Sequence, residues 1–201
     1  ALLVRAYGHS VGTELMLLNS EIPYLHGKDK PLYEREELQV LSCLLSLLLH
    51  EDLSGVSEEY RVQSLRSLLR LSKSFLSKEE LDKLSALASH PISEWIELVE
   101  TLSLTKGINS KKARKLVLSI KEWCCIGYCD EEITANALKA IARIQMFYDF
   151  ESVWDDIATR HIDSNDKKRS YQSLLNSIEE MELSAEGLLK LIFKKPNEIY
   201  D

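Results

Sequence analysis

Glycine and proline are scarce in this chain, at seven and four of 201 residues. So few breakers leave room for long helices and little for a glycine-rich phosphate loop. No stretch shows strand-like alternation bounded by turns. No run reaches the roughly 18 apolar residues that a membrane span requires, and no secretory signal is visible. Basic charge is in deficit: 25 Lys and Arg against 32 Asp and Glu give a net charge of −7. That argues against nucleic-acid binding, which needs a basic face. Cysteine is sparse and unevenly placed, at Cys43, Cys124, Cys125 and Cys129. A secreted disulfide framework would spread its cysteines through loops, and a zinc site would pair them as C-x2-C. Thiols within apolar helical runs read instead as buried and reduced, which places the chain in the cytoplasm.

What is present is helical periodicity. Hydrophobic residues make up 45% and charged residues 28%, ordinary for a soluble globular protein. Leu38, Leu41, Leu44, Leu45, Leu48 and Leu49 follow the i, i+3, i+4 spacing of one buried face. Val40 and Leu47 are apolar on other sides, so this helix is expected to be central. Val62, Leu65, Leu68, Leu69 and Leu71 mark a second helix that reaches Phe75. Ser77-Lys78-Glu79-Glu80 is a capping box opening a helix that Pro91 stops. Ser93 is read as the cap of a helix to Leu104, with Trp95, Leu98 and Val99 inward and Gly107 as terminator. Asn109 caps the next helix, to about Ile126. There Lys111, Lys112, Arg114 and Lys115 read as a solvated face over buried Leu116, Val117 and Ile120. Thr134 is read as the cap of a helix bearing Leu138, Ile141, Ile144 and Phe147. Weaker helices are expected at 151–160, Ser170 to Met181 and Ser184 to Phe193, with the polar run Asp163 to Arg169 as a linker. The fold class is all-α: a multi-helix bundle with central helices and additional C-terminal helices.

One pattern recurs. His50-Glu51-Asp52-Leu53-Ser54-Gly55-Val56-Ser57 is an acidic turn, and Cys129-Asp130-Glu131-Glu132-Ile133-Thr134 is another. In each, an apolar helix runs into acidic residues, then a β-branched residue, then a hydroxyl residue suited to a helix cap. The recurrence suggests two related helical hairpins packed as one domain.

The helix order and these two turns resemble the tellurite-resistance TerB-like family, whose turns read roughly Ala-Asp-Gly, one residue, Ile or Val, Ser or Thr, two residues, Glu. The resemblance covers residues 36–150 and divides the chain into an irregular segment with a possible short helix (1–35), a TerB-like helical domain (36–150) and a C-terminal helical extension (151–201). Departures are clear: Glu131 stands at the Gly position, and Tyr60 and Ala137 replace the trailing Glu. The family likeness implies a metal-associated helical module and a bacterial, stress-related role. Asp52, Asp130 and Glu132, with Glu51 and Glu131, would supply the carboxylates for a divalent cation. Hard cations gather several oxygens, so Asp52 and Asp130 would have to lie within about 6–8 Å.

Other constellations are weaker. The five histidines are scattered, with no i+3 or i+4 pair. Cys124, Cys125 and Cys129 fall near a helix C-terminus, where the dipole disfavours a thiolate. Gly8-His9-Ser10-Val11-Gly12 matches G-x-S-x-G, but a nucleophile elbow needs a strand before its Ser. The reading that follows is a non-catalytic, cytoplasmic interaction or scaffold module with a protein partner and no cofactor. The apolar faces of the C-terminal helices, Leu174 and Ile178 on one and Leu188 and Ile192 on the other, are the candidate partner surface. The alternative is a metal-dependent sensor or hydrolase built on the acidic turns. An acidic surface with apolar helix faces fits either a monomer or a dimer.

Overall fold

A computed structural model describes residues 7–24, 32–49, 58–72, 74–127, 130–147 and 164–194. Among them are ten α-helices and no strand: α1 Tyr7–Asn19, α2 Glu36–Leu49, α3 Glu58–Leu71, α4 Lys78–Leu84, α5 Ile92–Leu104, α6 Ser110–Ile126, α7 Glu131–Thr134, α8 Ala137–Phe147, α9 Ser164–Glu180 and α10 Ala185–Phe193. Short 3-10 turns occupy Leu32–Glu34 and Ser85–Ser89. The all-α expectation holds. No described helix is long and apolar enough to cross a membrane. Contacts divide the chain into two compact units, one formed by Ala1–Leu38 with Asp130–Asp201 and the other by Gln39–Cys129. This division differs from 1–35, 36–150 and 151–201. Helix α8 packs on α7, α9 and α10, so the second acidic turn goes with the terminal helices.

In the first unit α1 lies along α9. The approach is close because Gly12 has no side chain. A Cβ there would meet the Ser173 carbonyl oxygen at 2.9 Å and the hydroxyls of Ser173 and Ser177 closer still. Val11, Leu15 and Leu18 of α1 are buried, as are Leu174 and Ile178 of α9 and Leu188, Leu189 and Ile192 of α10. Charge is buried too. The Arg35 side chain is fully enclosed, and its Nη2 donates to Glu14 Oε1 at 2.5 Å. The first amide of α8, on Ala137, donates to the Leu183 carbonyl at 2.8 Å, and Gln145 Nε2 donates to the Tyr171 hydroxyl at 2.6 Å. Lys194, just past α10, donates to the Leu18 carbonyl at the end of α1.

Every α2 residue from Glu37 to Leu48 is buried, as expected of a central helix. Its polar side chains are satisfied locally. The Ser42 and Ser46 hydroxyls donate to carbonyls three residues back, at 2.9 and 2.7 Å. Within the second unit the Gln39 amide donates to Gln63 and its oxygen accepts from Ser67. Helix α3 packs on the Ser85–Ser89 turn, where Arg66 donates to Ser85 at 3.0 Å and pairs with Asp82 at 2.7 Å.

Several local expectations are corrected. Helix α3 stops at Leu71, and Phe75 lies outside it, 81% exposed with φ 51°. Helix α5 begins at Ile92 behind Pro91, two residues too early for Ser93 to cap it. The α5 terminator is Lys106 rather than Gly107. Lys106 takes the left-handed conformation at φ 59°, and the Gly107 amide reaches back to the Leu102 carbonyl at 2.7 Å. This is a Schellman closure with a non-glycine residue at its left-handed position. Glu21 and Glu182 close α1 and α9 in the same way. The Thr134 hydroxyl donates to the Glu131 carbonyl inside α7, and it is Asn136 that accepts an amide, from Lys139, at the start of α8. Helix α9 starts at Ser164, so most of the polar run read as a linker is helical. Ser10 lies within α1, which removes the nucleophile-elbow geometry. The expected helix at 151–160 lies outside the described residues.

Two outcomes follow from the first unit. Gly12→Ala should lower the unfolding free energy by about 1–3 kcal/mol in urea titration, since a backbone oxygen cannot be moved aside without parting α1 from α9. Arg35→Met should cost about 3–5 kcal/mol because it breaks a buried ion pair from one side, whereas Arg35→Met with Glu14→Leu should regain most of that loss.

Candidate functional site

Of the expected site residues, Asp130, Glu132 and the four apolar residues of the C-terminal helices are described. Asp52, with Glu51, lies outside the described residues. Asp130 precedes α7 and is exposed, without a side-chain bond to the helix amides. Glu132 is exposed and ion-paired with Lys139. The hydrogen bond from that ammonium, and then its charge, hold the Glu132 carboxyl below its usual range. Among the described residues no three His, Cys, Asp or Glu side chains gather as metal ligands would. Leu174, Ile178, Leu188 and Ile192 are each no more than 1% exposed. They close the core of the first unit against α1 and α8 and are not open to a partner. The physical reason is that α1 exists as a full helix and covers α9.

The cysteines divide. Cys43 is buried, and burial pushes its thiol up to about 12, leaving it protonated and inert. Burial also raises the half-buried Cys124. Cys125 is exposed, which corrects the expectation of uniformly buried thiols. Cys129 lies outside the described residues.

An open apolar surface does exist, within the second unit. Helices α5 and α6 pack side by side, joined by the short connection 105–109. The stripe Trp95 and Val99 on α5 and the stripe Ala113, Leu116, Ile120 and Trp123 on α6 are buried. Between the two helices on the outer side runs a groove of about 610 Å³. Its apolar lining is Leu104, Ala113, Val117 and Leu118, with Ser103 and Ser110 beside them. Glu100 stands on the α5 rim and Arg114 on the α6 rim. Leu104 is 85% and Leu118 62% exposed. Single exposed leucines are common, but two lining one concave surface are a recognisable docking feature.

The groove walls are held by polar bonds at the turns. Asn109 accepts the Lys111 amide at 2.9 Å and caps α6. Glu80, from the α4 capping box, reaches the same place. Its Oε2 accepts the Ser77 amide and the Lys112 ammonium, each at 2.7 Å, and its Oε1 accepts the Asn109 amide at 3.4 Å. One carboxylate thus ties the start of α4 to the start of α6. Burial works to raise its pKa. The Lys112 bond and the Ser77 and Asn109 amides outweigh burial and bring it down to about 2. At the far end of α5 the Trp95 indole donates to the His90 carbonyl at 2.9 Å, and His90 Nδ1 meets Glu94 at 2.9 Å. Lys115 on α6 stands 5.8 Å from the centre of the exposed Phe75 ring, within cation–π range. The basic residues of α6 do form its outer face, as the periodicity predicts, with Lys112 turned to Glu80. Val117, expected to be buried beneath them, is half-buried and turns toward the α5 side instead.

Leu104 and Leu118 carried a signal that helical spacing reveals. Both fall off the buried stripes of their helices: Leu118 sits between Leu116 and Ile120, on the opposite side from them.

Comparison with protein-family models, curated proteins and solved structures finds no match.

The Glu80 clamp gives a pH dependence of defined sign. Its folded value lies below the usual 4.5, so its contribution is complete above about 4.5 and is lost as pH falls toward about 2. Glu80→Gln should flatten that part of the acid-unfolding curve, followed by circular dichroism, and should lower stability at neutral pH by about 1–3 kcal/mol.

Proposed function

We propose that this protein is a non-catalytic helical interaction module whose α5–α6 groove takes up an apolar segment of a protein partner. The observation that carries this reading is the exposure of Leu104 and Leu118 along a groove whose walls are fixed from behind. Burying one leucine contributes about 1.5–3 kcal/mol, so two in a pre-formed groove supply a useful part of a micromolar affinity. The shape fits a helix laid in a groove, which presents apolar side chains at i, i+3, i+4 and i+7. The TerB-like pattern at 129–134 adds a bacterial stress-related setting to the proposal.

The test is selection of displayed random peptides against the 201-residue chain, followed by titration. Selected peptides should carry leucine or other large apolar residues at helical spacing. Their binding should weaken by at least about tenfold, or 1.4 kcal/mol, in Leu118→Arg. Leu118 is exposed in the single chain, so the variant should keep the native circular dichroism spectrum. Selected peptides that bind Leu118→Arg and the parent chain equally, or a selection that yields no binder from a chain that is monomeric in solution, would overturn the reading.

A further inference from the structure

We infer that the occupant of the α5–α6 groove is the same groove of a second copy of this chain, in a two-fold symmetric dimer. The inference rests on the groove being a docking surface and is carried by its charges. The exposed acids of α5, Glu94, Glu97 and Glu100, lie on one side, and on the other α6 exposes the cations Lys111, Arg114, Lys115 and Lys121 with one acid, Glu122. Glu100 and Arg114 both line the groove, yet neither has an ion-pair partner among the described residues. A strongly acidic or strongly basic segment would match one rim and be repelled by the other. Nucleic acid would meet Glu100 wherever it met Arg114.

A second copy satisfies both rims. In a two-fold interface the same patch serves both partners, so each contact occurs twice. An axis running along the groove, parallel to the helices, lays α5 of one copy over α6 of the other. The register then agrees. Glu100 is four residues before the last residue of α5 (104 − 100), and Arg114 is four residues after the first residue of α6 (114 − 110). Taken as an antiparallel hairpin across the short 105–109 connection, α5 and α6 place the two side chains at the same height. Rotation about the axis therefore brings Glu100 opposite the second copy's Arg114 in both halves. Residues close to the axis meet their own copies, which sets Leu104 against the second copy's Leu104 and Leu118 against its Leu118 and removes the exposed apolar surface from water.

The experiment is sedimentation equilibrium of the 201-residue chain with a charge-swap cycle. The parent chain should sediment at twice its 23.0 kDa mass. Glu100→Arg and Arg114→Glu should each weaken association by at least about tenfold, and the double variant should restore it, since two like-charge clashes become two ion pairs again. Both positions are exposed and both new residues are good helix formers, so the fold is retained. A chain that stays monomeric at every loading concentration, or a dimer whose dissociation constant ignores the swaps, would overturn the inference. A monomer whose selected peptides still lose affinity in Leu118→Arg would sink the second copy alone. A monomer whose peptides ignore Leu118 would sink the docking groove as well.

Discussion

A guanidinium without access to solvent decides where the first helix must lie. Arg35 is enclosed between the 3-10 turn at Leu32–Glu34 and the start of α2, and its charge requires a carboxylate at bonding distance. Glu14 supplies it from the middle of α1, 21 residues earlier. Once Glu14 is fixed, Gly12 is fixed half a turn before it, and the close crossing with α9 at Ser173 and Ser177 follows. The pair is not chiefly a source of stability, since desolvating both ions offsets most of their attraction. Its effect is selective. Any arrangement that separates α1 from Arg35 breaks a buried ion pair, so competing placements of α1 are disfavoured more strongly than the native one is favoured.

The second unit uses the same logic at its edge. Glu80 belongs to the α4 capping box, a local device, yet it also accepts from Asn109 and Lys112 at the start of α6. The amides at a helix start are electropositive and Lys112 adds a full charge, so the carboxylate stays ionised despite burial. The consequence reaches the groove. Because α6 is held by its cap and its buried stripe, the outer residues Arg114 and Leu118 are free of structural duty and can be aimed at a ligand.

How much of this was legible in the sequence depends on the range of each interaction. Helix α2, the Ser77 capping box and the cap at Asn109 are local and were readable residue by residue. The left-handed residues were misplaced because glycine was expected where Lys106 stands. Gly107 one position later serves instead for its close approach, where a Cβ would lie 3.1 Å from the Leu102 carbonyl. The polar start of α9 lacks an apolar stripe and so reads as a linker. The Glu14–Arg35 pair had no signature at all, since nothing local distinguishes a buried arginine from an exposed one. The expected partner residues Leu174, Ile178, Leu188 and Ile192 illustrate the same limit: a wide apolar face is visible in sequence, but the helix that covers it is not.

The two leucines of the groove invert that case. An apolar residue off the buried stripe is uninformative alone, because folded surfaces are more than half apolar. Leu104 and Leu118 gain meaning only when the turn at Lys106 brings the end of α5 beside α6 and places both on one concave strip. The core has no need of them: Trp95, Val99, Leu116, Ile120 and Trp123 already close the interior beneath. Exposing them forgoes burial worth about 1.5–3 kcal/mol each without any structural return inside the chain. Polar residues at both positions would serve the isolated fold better, and that imbalance is the physical ground for proposing that a surface is brought up against them.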